Sequence, residues 1–370
     1  MILNTTYTSE HLHDLHSQYS RKVDIHILER TVFAFGLLEA LVRTGLPFIF
    51  KGGTSLILLC GTLKRLSTDI DITVSPDTEV DNYLDEISTI FPFLKKVEDE
   101  RVPKNNIVKR HIKYFYTSPL TNKENYILLD ILFEKNHYTN LITKPINIPL
   151  LLTEGENYSV SMPDVGSILA DKLTAFAPHT TGIMINTGKD MEIIKQLYDI
   201  TTLLNMDFDQ EEVISTYPEI AETECKYRDL HLSPSDILMD TLKTSLCICS
   251  KGKLFNDNNE YENYRAGIAA LRTHIFQAQF NPDTISEAMP KLIYFLVCLL
   301  TNSHYSNNLP KTDKKFQFGN SAFGTIRYIQ KINPTAFAYL VKADNLINQD
   351  DKLKQRLFSN NQAGILYRLK

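Results

Sequence analysis

A glycine pair between two apolar runs, Lys51-Gly52-Gly53-Thr54-Ser55-Leu56, constrains the fold of this chain more than any other stretch. The preceding run Leu46-Pro47-Phe48-Ile49-Phe50 has strand character, and Leu56 to Cys60 reads as a helix. A strand, a glycine turn and a helix in succession leave backbone N–H groups free, and these suit a phosphate. Shortly after, Asp69-Ile70-Asp71-Ile72 sets two carboxylates one residue apart in another apolar run. On a strand, both Asp residues share one face while Ile70 and Ile72 enter the core. Carboxylates held that close repel unless a cation lies between them. Paired divalent metals, about 3.5–4 Å apart in phosphoryl-transfer sites, use such groups. A solvated strand face is the plain alternative, and the glycine turn argues against it.

Composition narrows the partners. With 370 residues, the chain has room for two domains or one large one with an appendage. A net charge of −5 supplies no global basic field for nucleic acid, so any RNA contact has to be local. The five cysteines are odd in number and lack paired spacing, which predicts free, mostly buried thiols. Cys247-Ile248-Cys249 has no second Cys or His pair at zinc-site spacing. The start Met1-Ile2-Leu3-Asn4 does not read as a signal peptide, and the apolar stretch Leu292 to Leu300 is too short to span a bilayer. The expectation is a soluble cytoplasmic protein with no membrane association.

Apolar spacing predicts a helix over residues 24–44, ended by Gly45, and another from Asp81 to Leu94. Ile107 to Tyr116 alternates, with Ile112, Tyr114 and Tyr116 on one face and His111, Lys113 and Phe115 on the other. Asn125 to Phe133 is nearly all apolar, as in a strand buried on both faces. The turn between them predicts an antiparallel hairpin. Tyr158-Ser159-Val160 is a short strand candidate. From Asp164 the chain reads mainly as helix, with stripes at Val165 to Phe176 and Ile193 to Leu204. Further helices are expected at Asp236 to Ser250, Tyr261 to Gln279, Ile285 to Thr301 and Gly324 to Leu346, with polar loops at Asn256 to Asn259 and Ser303 to Lys315. A boundary is expected near 155, between an α/β domain, 1–155, and a mainly helical domain, 156–370.

Several side chains stand out. Asp130, inside Tyr126 to Phe133, is costly to ionise there unless paired, hydrogen-bonded or metal-bound. A turn-forming or Lys-paired Asp is its plain alternative, and Glu134 is the nearby substitute. Lys109-Arg110-His111 with Lys113 forms a basic patch interleaved with Tyr114 and Tyr116. It suits an RNA backbone, although a charged strand edge that resists aggregation explains it as well. His11, His13 and His16 read as surface residues. His179-Thr180-Thr181-Gly182 and Gly188-Lys189-Asp190 lie in a loop that can cover a nucleotide or simply be surface.

Gly52-Gly53-Thr54-Ser55-Leu56 together with Arg65-x-Ser67-x-Asp69-Ile70-Asp71 resembles the nucleotidyltransferase toxins of the AbiEii/AbiGii type, within the DNA polymerase β-like superfamily. The resemblance spans about residues 25–205. It implies an α+β fold: a polymerase β-like core with a mixed sheet and flanking helices, then a mainly helical C-terminal region. Asp69, Asp71 and, as third carboxylate, Asp130 would bind Mg²⁺, with Mn²⁺ as the alternative. Asp130 would also help deprotonate the attacking hydroxyl. Gly52, Gly53, Thr54 and Ser55 would hold phosphates, and Arg65 would bind triphosphate oxygens. Asp171-Lys172-Leu173-Thr174-Ala175 is similar to the family's Asp/Glu-Lys-Leu-x-Ala helix, which makes Lys172 a functional residue. Without that likeness, Lys172 is a solvated lysine beside Asp171. Asp199 matches the second acid of an Arg-Asp-x-x-Asp helix, but Lys195 and Gln196 replace the Arg-Asp. The implied activity is transfer of a nucleoside monophosphate from an NTP to an RNA such as tRNA, or to a protein, by a toxin that a separately encoded antitoxin neutralises. A catalytically silent NTP-binding module acting through a protein partner is the alternative, and a purely structural partner protein is a third reading.

Overall fold

The computed structural model describes residues 1–19, 23–99, 108–276, 279–311 and 315–358. Ile107, at the start of an expected strand, lies outside them. So do 277–278 of an expected helix and 312–314 of an expected loop. Helices α1 (Ser9–Gln18) and α2 (Ile25–Arg43) precede strand β1 (Ile49–Lys51). Asp24 caps α2 by accepting from the N–H groups of His26 and Ile27. Helix α3 (Gly52–Cys60) starts at the glycine pair itself. Strand β2 (Ile70–Val74), helix α4 (Asp81–Ile87) and strands β3 (Lys95–Glu98), β4 (Lys109–Thr117) and β5 (Glu124–Phe133) follow.

These strands make one mixed sheet in the order β1-β2-β5-β4-β3. β2 and β5 are parallel and the other pairs antiparallel, including the expected β4–β5 hairpin. Period-two alternation gives the sheet a closed face. Ile70, Ile72, Ile112, Tyr114, Tyr116, Ile127, Leu129 and Ile131 are all buried there. α2 packs against that side, where Phe33 stacks on Tyr116 with ring centroids 3.7 Å apart. β5 is not buried on both faces as its apolar run suggested. Tyr126, Leu128, Asp130 and Leu132 remain partly or fully exposed on the other face.

A second, two-stranded sheet pairs β6 (Leu141–Pro145) with β7 (Ser159–Pro163), and β7 packs against β1. Residue 155 falls in the connection of this hairpin. Helices α5 (Val165–Ala175), α6 (Asp190–Leu203), α7 (Gln210–Tyr227), α8 (Pro234–Cys249), α9 (Tyr261–Leu271), α10 (Pro282–Leu300), α11 (Ile329–Ile332), α12 (Pro334–Gln349) and α13 (Asp351–Phe358) complete the chain. Asp164 caps α5 through the Ser167 N–H, and Ser233 and Asp236 form a capping box on α8. α5 packs on α6, α7 and α8, and α10 on α8 and α12. The single helix expected over Gly324 to Leu346 is broken at Asn333, which caps α12 ahead of Pro334. The helix expected from Asp81 stops at Ile87, before Pro92. Among the described residues, no helix is long and apolar enough to cross a membrane.

Candidate active site

Pairing register builds the site. Lys51, Asp71, Asp130 and His111 are successive partners across β1, β2, β5 and β4. They stand in one row, opposite to the closed face. Asp69 lies just before β2, one step along on the same side. Thr54 Oγ1 donates to the Asp69 carbonyl at 2.6 Å, tying α3 to the strand start. Gly52 has φ +78°, and a Cβ added there would lie 1.9 Å from Asp71 Oδ2. Only glycine allows that backbone conformation and that approach together. At Gly53 a Cβ would meet Arg65 Nη2 at 2.5 Å.

The Ser55 side chain, expected to hold phosphate, is fully buried and its Oγ donates to the Gly52 carbonyl at 2.8 Å; the Thr54 side chain is buried too, and the role expected of Thr54 lies in its backbone. Arg65 and Asp199 meet across 134 positions as a buried two-pronged pair, at 2.6 and 2.8 Å. Lys172 Nζ joins them, 3.1 Å from Asp199 Oδ2. Lys172 is therefore not a solvated lysine, being only 7% exposed. Gln196, standing where the resemblance expects Asp, accepts from Lys172 Nζ at 3.0 Å. Burial works against the Asp199 charge, but Arg65 and Lys172 hold its pKa below the usual carboxylate value. The trio carries a net positive charge beside the start of α3.

The carboxylate row behaves in the opposite way. Burial first, then Asp130 and Asp69, push the Asp71 carboxyl up to about 6, against the pull of Lys172 and Lys51. Burial also raises Asp69, with Asp130 adding to it and Arg30 and Lys195 opposing. Arg30 Nη2 lies 3.5 Å from Asp69 Oδ1, and His111 Nδ1 lies 2.6 Å from Asp130 Oδ1. Each of these partners holds one carboxylate aside. Among the described residues, no three His, Cys, Asp or Glu side chains already converge tightly enough to hold a metal ion. The donor set itself fits a divalent cation: hard carboxylate oxygens, with burial first and carboxylate crowding second raising the pKa values of Asp69 and Asp71.

Arg30, His111 and Lys51 escaped the sequence reading of the site. His111 was legible in principle, since counting back through the β4–β5 turn places it opposite Asp130. Lys51 sits 3.8 Å from Asp171 and 3.9 Å from Glu134. Tyr227 donates to Glu134 and Tyr138 to Asp171, so Glu134 serves this neighbouring cluster and not the Asp row. The basic patch divides as well. Tyr114 and Tyr116 face the core, and Arg110 pairs with Glu98 and Asp81. Lys109, His111 and Lys113 are on the open face, where the aromatic neighbours are Phe115 and Tyr126. His179 does not cover the Asp row. It is clamped between Asp240 and Glu260 at 2.7 and 2.8 Å, pinning the loop to α8 and to the start of α9.

The family described as "Nucleotidyl transferase AbiEii toxin, Type IV TA system" matches residues 36–285. No curated protein matches the chain. Among solved structures, JHP933 from Helicobacter pylori is similar at 15% identity and TM-score 0.43, over 74% of this chain and 93% of that one. A second H. pylori structure, described as a candidate nucleotidyltransferase, has 16% identity and TM-score 0.42, over 75% of this chain and 99% of that one.

Proposed function

The chain belongs to the AbiEii family of nucleotidyl transferase toxins of type IV toxin–antitoxin systems, and on that premise we propose that it moves a nucleoside monophosphate from an NTP to an RNA hydroxyl at the Asp69, Asp71 and Asp130 row. The observation that carries this reading is the register pairing of Asp71 with Asp130, with the Gly52 backbone closed on Asp71. Asp69, Asp71 and Asp130 would hold Mg²⁺, or Mn²⁺, which when bound polarises the α-phosphate and neutralises the leaving pyrophosphate. The backbone N–H groups at Gly52 and Gly53 suit phosphate oxygens. Lys172 and Arg65 favour the triphosphate by charge, although Asp199 already satisfies the Arg65 fork. Thr54 and Ser55 support the turn from within. Asp130 takes the proton of the attacking hydroxyl, and His111 fixes the orientation of that carboxylate. A type IV family implies an antitoxin partner.

Incubation with each α-labelled NTP, Mg²⁺ and total RNA, followed by tracking the label, tests this reading. Label retained on RNA supports it, and label on protein moves the acceptor to that class. NTP binding with no transfer and no pyrophosphate release leaves the silent-module alternative standing.

A further inference from the structure

The open face of the sheet continues past the carboxylate row into an aromatic and cationic surface, and we propose that this surface seats an unpaired stretch of the acceptor nucleic acid. The proposal rests on the transferase reading above and adds to it the place where the acceptor lies. Tyr126 is 36% exposed, and its ring centroid is 5.7 Å from that of Phe115 on the neighbouring strand. Lys113 Nζ stands 5.3 Å from the Tyr126 centroid, Arg30 Cζ 5.9 Å from the same ring, and Lys95 Nζ 4.9 Å from the Phe115 ring. Tyr126 precedes Asp130 by four positions on β5, which places it about 14 Å from the row at roughly 3.4 Å per residue.

This combination selects its occupant. Exposed rings stack on bases of any sequence, and cations beside them meet phosphates. Lys95 pairs with Glu124 at 2.8 Å and Lys113 with Asp99 at 3.2 Å. Such surface pairs contribute little, and a phosphate can replace the carboxylate. Protection of a sheet edge does not account for the surface, because Phe115 and Tyr126 lie on β4 and β5, inside the sheet, while β3 is the edge. A protein partner would favour an apolar, charge-poor centre, and here Arg30 and Lys113 flank the Tyr126 ring and Lys95 the Phe115 ring. Arg30 joins the surface to the site, since the same guanidinium approaches Asp69 and Tyr126. An unpaired strand stacked on Tyr126 and Phe115 would thus run toward Asp130 with its terminal hydroxyl leading.

The test is fluorescence anisotropy of a fluorescein-labelled oligouridylate on the full chain, without NTP or metal, with melting curves for every variant. Tyr126→Ala should weaken binding about fivefold or more, as loss of one base–aromatic stack does. Phe115→Ala should do the same, and Tyr126→Phe should bind as wild type does, with melting unchanged in all three. In transfer assays Tyr126→Ala should raise KM for the acceptor and leave KM for NTP unchanged. Wild-type binding by Tyr126→Ala would overturn the proposal. So would equal losses in Tyr126→Ala and Tyr126→Phe, or no oligouridylate binding by the wild type, the result expected if the acceptor is a protein. The anisotropy readout needs no catalysis, so failure of the transferase reading shows as absent transfer with binding intact.

Discussion

Asp71 and Asp130 are register partners on adjacent parallel strands, so their carboxylates stand side by side on the open face of the sheet. Gly52 holds Asp71 in place from β1's end, at a distance that no side chain permits. This pairing makes the site sensitive to changes that leave the acids themselves untouched.

Gly52→Ala is the sharpest of these. The positive φ alone costs about 1–2 kcal/mol for an L-residue, and the new methyl must displace the Asp71 carboxylate. We expect a lowered melting temperature and loss of nucleotide transfer. Wild-type transfer by a folded Gly52→Ala variant would show that Asp71 need not sit where the structure puts it.

Asp71 has a folded-state pKa of about 6, above its usual 3.8. An acid raised by folding penalises the fold wherever it is ionised, so its contribution improves as pH falls through about 6 and levels off below the unfolded value. In chelator, Asp71→Asn should therefore melt no lower than wild type above about pH 7, and the difference between them should shrink toward about pH 4. Mg²⁺ should raise wild-type melting by binding the folded state, and raise that of Asp69→Asn and Asp71→Asn less. Thermal melts over pH, with and without Mg²⁺, check both statements.

Lys172 reads from sequence as an exposed lysine whose loss hardly affects folding, and its burial reverses that expectation. Lys172→Ala should cost about 1–3 kcal/mol, since Asp199 keeps the Arg65 fork. Arg65→Ala removes that fork from a buried carboxylate and should cost about 3–5 kcal/mol. Urea unfolding should rank Arg65→Ala below Lys172→Ala in stability. The reverse order would mean that Lys172 is the main counter-ion of Asp199.

His179 lies between Asp240 and Glu260, which are 7% and 5% exposed. Burial disfavours its charge, but the two acids push its pKa up to about 10. A histidine raised by folding stabilises fully below its unfolded value of about 6.5, and that stability is lost as pH rises through about 10. His179→Gln should cost about 1–3 kcal/mol near neutral pH, because both acids lose their cation. The gap to wild type should narrow as pH approaches 10. A gap that is constant over this range would mean the imidazole is neutral in the fold.

Residues whose partners are local were legible in the sequence. The alternation of Ile112 to Tyr116, the hairpin turn and the Asp69-Ile70-Asp71 spacing gave the sheet and its carboxylate row, because a period of two is short and self-evident. What stayed hidden depends on distant packing. Arg65 and Asp199 lie 134 positions apart, and Lys172 is buried against α6; neither contact is announced by a local pattern, although the helix itself is. β3 is short and largely polar, and β6 is short and ends at Pro145, so neither carries a strand signal. The continuous apolar run of β5 suggested burial on both faces, yet Leu128 and Leu132 stay partly exposed on the open one. α7 carries Pro218 and several Glu residues, which masked its helical stripe.

The Asp69, Asp71 and Asp130 row is proposed to carry out metal-dependent transfer from an NTP. The most direct measurement is the initial rate of pyrophosphate release from each NTP in the presence of total RNA, with Mg²⁺ or with chelator, for wild type and Asp71→Asn. Release by the wild type that needs Mg²⁺, and that falls by at least about a hundredfold in a folded Asp71→Asn variant, is the predicted result. Release that persists undiminished in Asp71→Asn, or in chelator, would contradict it.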